Sequence, residues 1–383
     1  MLAYALYYND ARIKAYVHAL TEQGIDVDIV CLWDPCSKNI ASHGANVSLT
    51  FIQKKYEGHS LVLYLAHYFH FLFKATFIVA VKHWKNKYSF IHVHNQPDIL
   101  VLCALIPKLL GARIILDKHD IMMAGVLTKF TQKKGFLFFM TKLQTWISVK
   151  LSDILICSDH SQLDYLHENG IDHPTSFVIM NVPDGRIFRR REQMPANTIL
   201  RLVYHGTLAH RLGLDLAIRA VERVSRTIRL SFTIIGEGNQ KQDLLRLCEE
   251  LHIQDTLVSF KNFIPVEDLP AELEHYDIGI IANRKTLLGE QCMLPVKLME
   301  YLAIGIPVIA PRLAAIQRYF SETMVAYYEP ENIIQLADTI IMLANNPGHG
   351  QAMVQESDKF FTIYNWTDQK KQYLQNIVEV DEK

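Results

Sequence analysis

The feature that most constrains the fold of this chain is the alternation of short apolar runs with longer stretches of helical periodicity. Strand-like runs separated by helices favour a parallel sheet that is covered by helices on both faces. Connections between parallel strands are almost always right-handed, which leaves few topologies. In the first half these runs are LAYALYY (2–8), VDIVCLW (27–33), FIHVHN (90–95), ARIILDKHD (112–120) and DILICSD (153–159).

The alternation stops at the charged, proline-containing segment RRREQMPANTIL and then starts again. The 383 residues are too many for one hydrophobic core and suit two domains of roughly 100–200 residues each. We therefore predict an N-terminal domain over 1–187 and a second over 199–364, joined by a hinge near 185–198. The tail, 365–383, has a helical pattern and is expected to pack back on the first domain. The second set of strands is LRLVYHG (200–206), LSFTIIGEG (230–238), TLVSFKN (256–262), YDIGIIAN (276–283) and IPVIAP (306–311).

The six cysteines are scattered, and none forms a C-x-x-C pair. No secretory signal precedes them, which predicts free thiols in a reducing, cytoplasmic compartment, with neither a disulfide framework nor a zinc site.

Charge is distributed unevenly along the chain. Residues 51–150 contain 14 Lys/Arg and 4 Asp/Glu, whereas the remainder contains 25 and 36. A basic, aromatic region could attract anionic lipid or an anionic ligand; alternatively, its lysines only solvate helix surfaces. His67, His70 and Lys74 interrupt the apolar run 61–84, so we predict no membrane span but a helix half-buried in a domain or lying on a membrane surface.

Open α/β sheets bind ligands at the carboxyl ends of their strands. The stretch YHGTLAHRLGLDLAIRA (204–220) places glycines between a strand and an amphipathic helix, an arrangement that presents backbone N–H groups to an anion. Arg211 adds a charge with bidentate geometry, although an ordinary loop with a solvent-exposed arginine has the same pattern. The later IIGEGNQKQDL lacks the third glycine of a dinucleotide fingerprint, so its glycines are expected to form a turn.

The stretch LPVKLMEYLAIGIPVIAP (294–311) predicts a helix that begins near Pro295 and ends at Gly305, followed by a buried strand. Lys297 and Glu300 lie in its first two turns. Glu300 could accept hydrogen bonds from paired sugar hydroxyls while Lys297 meets a phosphate, or the glutamate could only stabilise the helix dipole.

A polar cluster, LDKHD, ends the strand near residue 116. Polar groups at this position predict a ligand-facing site in which Asp117, His119 and Asp120 are candidates. His119 could hydrogen-bond a hydroxyl group or move a proton near neutral pH, or it could be a buried structural histidine. His92 and His94 share one strand face, but with no third ligand evident we expect no metal.

These segments occur in an order that resembles the retaining, nucleotide-sugar-dependent glycosyltransferases of group 1, family 4. The resemblance covers about Tyr7 to Trp366, and LPVKLMEYLAIGIPVIAP is its most specific part. It implies an α/β, GT-B fold in which two Rossmann-like domains face each other across a cleft. The implied activity moves a sugar from a nucleoside-diphosphate sugar to a hydroxyl of a glycan or lipid-linked acceptor, in surface polysaccharide or glycoconjugate synthesis.

The resemblance also implies roles for individual residues. Glu300 would accept hydrogen bonds from the ribose hydroxyls of the donor, and His119 would act near the donor sugar and acceptor. The remaining donor-binding residues implied are Gly206 and Thr207 along the diphosphate, Arg211 and Lys297 as its counter-charges, and Met293, Leu294 and Pro295 close to the transferred sugar.

The chain departs from the family pattern at two places. Cys292 stands where many members have a second glutamate, and Glu290 is out of register with it. Thr207 and Leu212 stand where many members have Arg and Lys. We interpret these departures as variation in which side chains contact the donor, and not as a loss of activity.

The implied mechanism is a same-face attack, with positive side chains and helix N-termini neutralising the leaving phosphate, so no metal or other cofactor is expected. The expected partners are the donor, the acceptor and an anionic membrane surface, with no nucleic acid, on the inner face of the cell membrane. The alternatives are a nucleotide-sugar epimerase of the same fold and a non-catalytic, nucleotide-sugar-binding subunit.

Overall fold

The computed structural model describes residues 1–33, 46–56, 60–95, 97–124, 134–192 and 199–377. The chain divides into two compact units. Unit 1 comprises Met1–Asn181 and Thr367–Lys383, and unit 2 comprises Val182–Trp366. Cys36, the hinge residues 193–198 and the last six residues of the predicted tail lie outside the described residues.

Unit 1 is built on a seven-stranded sheet with the order β3-β2-β1-β4-β5-β6-β7. Every strand pair that its described residues form is parallel, as the alternating pattern predicts. The strands are β1 Leu2–Ala3, β2 Val27–Trp33, β3 Val47–Lys54, β4 Phe90–His94, β5 Arg113–Lys118, β6 Ile154–Cys157 and β7 Ser176–Val178. The helices are α1 Ala11–Thr21, α2 Leu61–Asn86, α3 Leu105–Leu109, α4 Lys134–Leu151 and α5 His160–Glu168, with 3₁₀ turns at Tyr7–Asn9 and Asp98–Ala104.

Unit 2 contains a six-stranded parallel sheet with the order β10-β9-β8-β11-β12-β13. Renumbered within the unit this is 3-2-1-4-5-6, the order of a dinucleotide-binding Rossmann sheet. The strands are β8 Leu200–His205, β9 Leu230–Ile235, β10 Val258–Lys261, β11 Ile278–Ile280, β12 Val308–Pro311 and β13 Ala326–Tyr328. The helices are α6 Leu214–Ser225, α7 Lys241–Glu250, α8 Leu269–Leu273, α9 Leu287–Gln291, α10 Val296–Ile304, α11 Ala314–Gln317, α12 Ile333–Asn345, α13 Pro347–Glu356 and α14 Asp358–Ile363, with a 3₁₀ turn at His210–Leu212.

Helix α6 illustrates how the sequence builds unit 2. Its apolar residues recur at helical spacing and form one buried stripe, which packs into the core against the sheet. Gly213, in the left-handed region with φ +63°, precedes the helix and turns the chain from the sheet into it.

The predicted strand over 2–8 is wrong beyond its first residues. The structure forms a strand only at Leu2–Ala3, and Tyr7–Asn9 is a 3₁₀ turn. Asp10 then caps α1, because its carboxylate accepts a hydrogen bond from the N–H of Ile13 at 3.0 Å. The chain must leave the sheet early to bring that cap into position. The sequence pattern did not predict three strands, each of which forms an edge of its sheet: 47–54, 176–178 and 326–328.

The last helix, α15 Trp366–Ile377, packs within unit 1. The ring of Tyr373 lies 4.3 Å from that of Tyr16, and its hydroxyl is 3.1 Å from Nδ1 of His92. Gln369 accepts a hydrogen bond from the N–H of Met180 at 2.7 Å. The five cysteines in the described ranges are free and buried, which confirms the predicted thiols at those positions.

Candidate functional site

The loop after β8 lies at the switch point of the unit 2 sheet, where β9 and β11 flank the central strand on opposite sides. This is the position at which open α/β sheets bind ligands. Gly206 has φ +116°, and a side chain there would meet Cε and Nζ of Lys297 at 3.2 Å. The glycine therefore both turns the chain and leaves room for the lysine. Thr207, next in the chain, is exposed.

The G-x-G segment after β9 supports this loop. A Cβ on Gly236 would lie 2.0 Å from the carbonyl oxygen of Gly206, and a Cβ on Gly238 would lie 2.1 Å from that of Leu208. The N–H of Leu208 donates to the carbonyl of Glu237 at 2.9 Å. The two glycines thus allow two loops to pack backbone to backbone, which confirms their prediction as turn glycines.

Arg211 is held in the second part of the same loop. Its carbonyl accepts a hydrogen bond from the N–H of Arg284 at 2.9 Å, which ties the loop to the residues after β11. Within the described ranges its guanidinium forms no salt bridge, and its buried Nε has no hydrogen-bond partner. A buried, unpaired N–H on a cation is costly, so this group is suited to receive an anionic ligand.

Gly213 provides a test of this loop. We expect Gly213→Ala to destabilise the protein by at least about 2 kcal/mol, because the new Cβ would lie 2.0 Å from the carbonyl oxygen of Ala282 at a φ of +63°. Urea unfolding measures the loss. Gly348→Ala is the matched control, since nothing lies within 4 Å of that position in a helix, and its stability should stay the same or rise. Equal effects of the two substitutions would contradict the packing described here.

Lys297 reaches the centre of this site from helix α10. Its Nζ donates to the hydroxyl of Tyr204 at 2.9 Å and lies 4.2 Å from the centroid of the same ring. Burial lowers the pKa of Lys297 to about 7; Glu300 acts in the opposite direction and Arg211 lowers the pKa further. The structure thus brings the two predicted counter-charges, Arg211 and Lys297, into one electrostatic environment.

Glu300 lies one turn along the same helix and is nearly buried, with 9% of its surface exposed. One carboxylate oxygen is 3.2 Å from Nε2 of His205, at the end of β8. The His205 ring packs edge-on against Tyr301, whose hydroxyl accepts a hydrogen bond from the N–H of His205 at 3.0 Å. Tyr301 in turn requires Gly279, since a Cβ there would lie 2.4 Å from its ring. The end of β8 and helix α10 are therefore held together by contacts of His205 with Glu300 and Tyr301.

The N-terminus of α10 is suited to an anion. The helix begins at Val296 after Pro295 and ends at Gly305, which has φ +99°, as predicted. No side chain caps its first turn, which contains no acidic residue and instead contains Lys297. First-turn N–H groups lack partners within a helix, and a cation there opposes the helix dipole. A bound phosphate would relieve both costs.

The N-terminus of α6 differs. Asp215 occupies its first turn and forms a salt bridge with Arg284 at 2.5 Å. This carboxylate already offsets part of the helix dipole, so α6 is a weaker anion site than the sequence predicted.

The loop before α10 carries the remaining predicted donor residues. Met293 and Leu294 are half-buried and Pro295 is buried. Cys292, at the position of the second glutamate in many family members, is fully buried. Glu290 belongs to a separate helix, α9, and its carboxylate lies 3.9 Å from Nζ of Lys285.

A second polar cluster lies in unit 1, at the carboxyl ends of β4 and β5. Asp117 is fully buried, and both its oxygens accept from Arg12, at 2.7 and 3.0 Å. Nε2 of His119 lies 2.8 Å from one of these oxygens, and Nδ1 of His94 lies 3.1 Å from it. The Asp117 carboxylate is thus enclosed by Arg12, His94 and His119, and its place as a candidate acceptor residue stays a prediction. Asp120 is half-buried, and its carbonyl accepts from the Asn95 amide at 3.0 Å.

Protonation differs among the histidines of this cluster. Burial lowers the pKa of His92 and of His94, which are neutral at pH 7. Burial also opposes the charged form of His119, but the Asp117 carboxylate outweighs it and raises the pKa of His119. With Nε2 directed at Asp117, Nδ1 forms no hydrogen bond among the described residues. A charged ring would present Nδ1–H as a donor, and 21% of the His119 side chain is exposed.

The ligand atoms of His92, His94 and Asp117 lie within 4.8 Å of one another, as metal ligands do. Arg12 already balances the negative charge of Asp117 through two hydrogen bonds. The buried carboxylate therefore does not depend on a second cation for charge compensation. The structure thus adds Asp117 as a third ligand-type residue beside the two histidines, which the sequence pattern did not show, and the same carboxylate contacts His119.

Sequence reasoning missed four residues that shape these sites. Tyr204 and His205 end β8, Tyr301 follows Glu300, and Arg12 lies in α1. The strand-end position of Tyr204 and His205 was a signal that could have identified them, whereas nothing local marks Arg12, whose partner is more than a hundred residues away in the chain.

Comparison with known proteins adds independent observations. Residues 200–346 match the family model described as Glycosyl transferases group 1. The amylovoran biosynthesis glycosyltransferase AmsK of Erwinia amylovora is 26% identical over 144 residues, which is 37% of this chain and 35% of AmsK. This chain therefore aligns with only about a third of that relative's length.

Solved structures match over nearly the whole chain. Sucrose-phosphate synthase from Thermosynechococcus elongatus superposes with a TM-score of 0.78 at 16% identity, covering 96% of this chain and 93% of that one. Anabaena HepE, solved in complex with UDP and glucose, superposes with a TM-score of 0.73 at 13% identity, covering 98% and 97%. The predicted GT-B fold and the resemblance to group 1 are confirmed.

Proposed function

Because this chain carries the region of the group 1 glycosyl transferases in a GT-B fold, we propose that it is a retaining glycosyltransferase. It would move a sugar from a nucleoside-diphosphate sugar to a hydroxyl of a glycan or lipid-linked acceptor. The observation that carries this proposal is a pair of basic side chains that form no salt bridge with a carboxylate in the described part of the chain: Lys297, at the uncapped N-terminus of α10, and Arg211, which lies in the same electrostatic environment. A diphosphate supplies the charge that this site lacks.

Each unit 2 residue then has a role in donor binding. Lys297 and Arg211 meet the diphosphate, and the backbone at Gly206 and Thr207 lines it. Glu300, held by the α10 helix beside His205, accepts hydrogen bonds from the ribose hydroxyls. The loop residues Met293, Leu294 and Pro295 border the transferred sugar.

We propose that transfer is a same-face attack with retention. The bond between C1 of the sugar and the phosphate oxygen breaks, the bond between C1 and the acceptor oxygen forms, and the acceptor proton passes to the departing phosphate. Arg211 and Lys297 stabilise the negative charge that grows on that phosphate. These two side chains and the α10 N-terminus supply the positive charge, and we propose that no metal ion is required.

His119 of unit 1 is proposed as the catalytic residue, donating from Nδ1 to an oxygen of the donor sugar or acceptor. Asp117 is proposed as a positioning residue, because its buried carboxylate contacts the His119 ring at 2.8 Å. The name of AmsK and the UDP complex of HepE make a UDP-sugar and a polysaccharide-type product the first pair to examine.

The test is a thermal-shift screen of UDP, GDP, ADP, dTDP and CMP, combined with a turnover assay. A ligand that binds only the native state raises the melting temperature. We expect one diphosphate to do so, Glu300→Gln and Arg211→Met to abolish the shift, and His119→Gln to keep the shift but to lower kcat about 100-fold.

The outcomes separate the alternatives. No shift with any diphosphate would overturn the donor site and the proposal with it. A shift without transfer to any glycan acceptor would instead favour the non-catalytic binding subunit. Interconversion of the free nucleotide sugar would favour the epimerase.

A further inference from the structure

Three helices of unit 1 expose an unusual number of large apolar side chains. Helix α2 exposes Phe73 by 79%, α3 exposes Leu109 by 85%, and α4 exposes Phe136 by 78%. We call these elements together the aromatic face. Its other exposed apolar members include Phe69, Phe77, Val81, Trp84, Phe139 and Trp146. Single exposed apolar residues are ordinary, but a cluster of this size marks an interaction surface.

The sheet order places the three elements on one side of unit 1. Helix α2 connects β3 to β4, the segment 98–109 connects β4 to β5, and α4 connects β5 to β6. All three connections run in the same direction across the sheet order β3-β2-β1-β4-β5-β6-β7. Since such crossovers are right-handed, they cover the same face of the sheet. Thr145 of α4 and Cys103 tie the segment to its neighbours, donating to Asp98 at 2.7 Å and to the carbonyl of Leu72 at 3.5 Å.

Helix α2 has two different apolar sides. The inner stripe is buried against unit 1 and includes Phe71, whose ring lies 5.0 Å from that of Tyr4. The outer stripe repeats every three or four residues and faces solvent. Its members are Phe69, Phe73, Phe77, Val81 and Trp84. In a helix, this spacing places side chains on one side.

The charge on the aromatic face has one sign. Neither 61–86 nor 134–151 contains an aspartate or glutamate, whereas both contain lysines. Lys74, Lys85 and Lys150 are exposed. Phenylalanine, tryptophan and lysine on one helix side, with no acidic residue, is the composition of helices that lie in the interface of an anionic membrane.

We propose that the aromatic face docks unit 1 on an anionic phospholipid bilayer, with α2 and α4 lying along the surface. The outer aromatic side chains enter the boundary between headgroups and acyl chains, and the lysines contact lipid phosphates. This inference does not rest on the proposed sugar transfer, although a docked enzyme would meet a lipid-linked acceptor directly.

Helix α2 lies on the membrane and does not cross it. By length and composition Val62–Asn86 could span a bilayer, and it is the one such helix in the described part of the chain. Crossing would remove its inner stripe from the core of unit 1, where Phe71 and Ala75 are fully buried. It would also break the salt bridge from Lys82 to Asp28, at 2.8 Å.

The test is flotation of the full chain with vesicles of phosphatidylcholine alone or mixed with phosphatidylglycerol. We expect the chain to float with the mixed vesicles and several-fold less with phosphatidylcholine alone. Phe73→Ser combined with Phe77→Ser should lower binding about tenfold or more without unfolding the protein, because both side chains are exposed. The matched control combines Phe263→Ser with Ile363→Ser, two exposed apolar residues of unit 2, and should bind like the wild type.

Tryptophan fluorescence gives a second reading of the same surface. Trp84 and Trp146 lie on the aromatic face, so brominated lipid should quench them on binding, and quenching should be lost in Trp84→Phe/Trp146→Phe. The proposal would be overturned if the chain floated with neither kind of vesicle. It would also be overturned if the Phe73/Phe77 variant floated with the mixed vesicles as well as the wild type does. A dimer that this variant dissociates, with no vesicle binding, would assign the face to a second copy instead.

Discussion

Replacing Lys297 with methionine is expected to weaken binding of the donor by about 10- to 100-fold. The substitution removes one charge-assisted hydrogen bond to the diphosphate, worth about 1.5–3 kcal/mol, while it keeps most of the side-chain volume against Tyr204. Isothermal titration calorimetry with the nucleotide sugar identified by the thermal-shift screen measures the change. Lys359→Met, an exposed lysine of unit 2, is the matched control and should bind the donor normally.

The pH dependence makes this prediction specific to Lys297. Burial lowers its pKa to about 7, so near neutrality a large share of the free protein carries an uncharged amine. A bound diphosphate favours the charged form and raises that pKa, so binding takes up protons. Donor affinity of the wild type should therefore fall as pH rises through 7, by up to about tenfold between pH 6 and 8.

A nucleotide sugar is the right probe for this measurement, because its diphosphate has no terminal phosphate to titrate in the range. Proton uptake is read from the dependence of the binding heat on the ionisation enthalpy of the buffer. Lys297→Met should abolish the uptake and flatten the pH profile. An unchanged affinity in this variant, or a wild-type affinity that rises with pH, would remove Lys297 from the site.

The second large effect is expected from Lys118→Met, which should destabilise unit 1 by about 3–5 kcal/mol. Lys118 and Asp98 are both fully buried, with Nζ 2.6 and 2.7 Å from the two carboxylate oxygens. Burial opposes ionisation of Asp98, but Lys118 outweighs it and holds the pKa of that carboxyl below its ordinary value. Removing one partner leaves an uncompensated charge in the interior.

Urea unfolding of the full chain, followed by circular dichroism, measures this loss. The stability that Asp98 contributes is present above its unfolded pKa and is lost as pH falls through the lower folded value. The deficit of the variant should therefore shrink toward acid pH. Asp98→Asn combined with Lys118→Met should recover at least half of it, and Lys150→Met, an exposed lysine of α4, should stay within about 0.5 kcal/mol of wild type. A deficit below about 1 kcal/mol would contradict the buried pair.

The two residues of this pair show where sequence reasoning reached its limit. Lys118 belongs to LDKHD, a cluster that the sequence placed at a strand end as a ligand-facing site. Asp98 follows a proline in the connection that precedes β5, and nothing in its neighbourhood indicates a partner twenty residues away. The choice between a structural and a functional lysine depends on which side of the strand faces the interior, and a run of four polar residues does not reveal it.

Much of unit 2 followed from the sequence alone, because its signals are local. Apolar periodicity placed each central strand to within a few residues, and glycines marked the turns at 206, 213 and 305. The edge strands β3, β7 and β13 were not predicted, because short or half-exposed strands carry a weak apolar pattern. The order of motifs along the chain also sufficed to indicate the resemblance to the group 1 glycosyl transferases.

Only the tertiary structure decided how those motifs act. Arg211 and Lys297 are distant in the chain, and their shared environment depends on β8 and β11 lying side by side. The same holds for Asp117 in β5, whose carboxylate is buried and paired because Arg12 reaches it from helix α1. Local patterns report on hydrogen bonding and periodicity within one element, whereas charge pairing and burial are set by elements that meet across long stretches of chain.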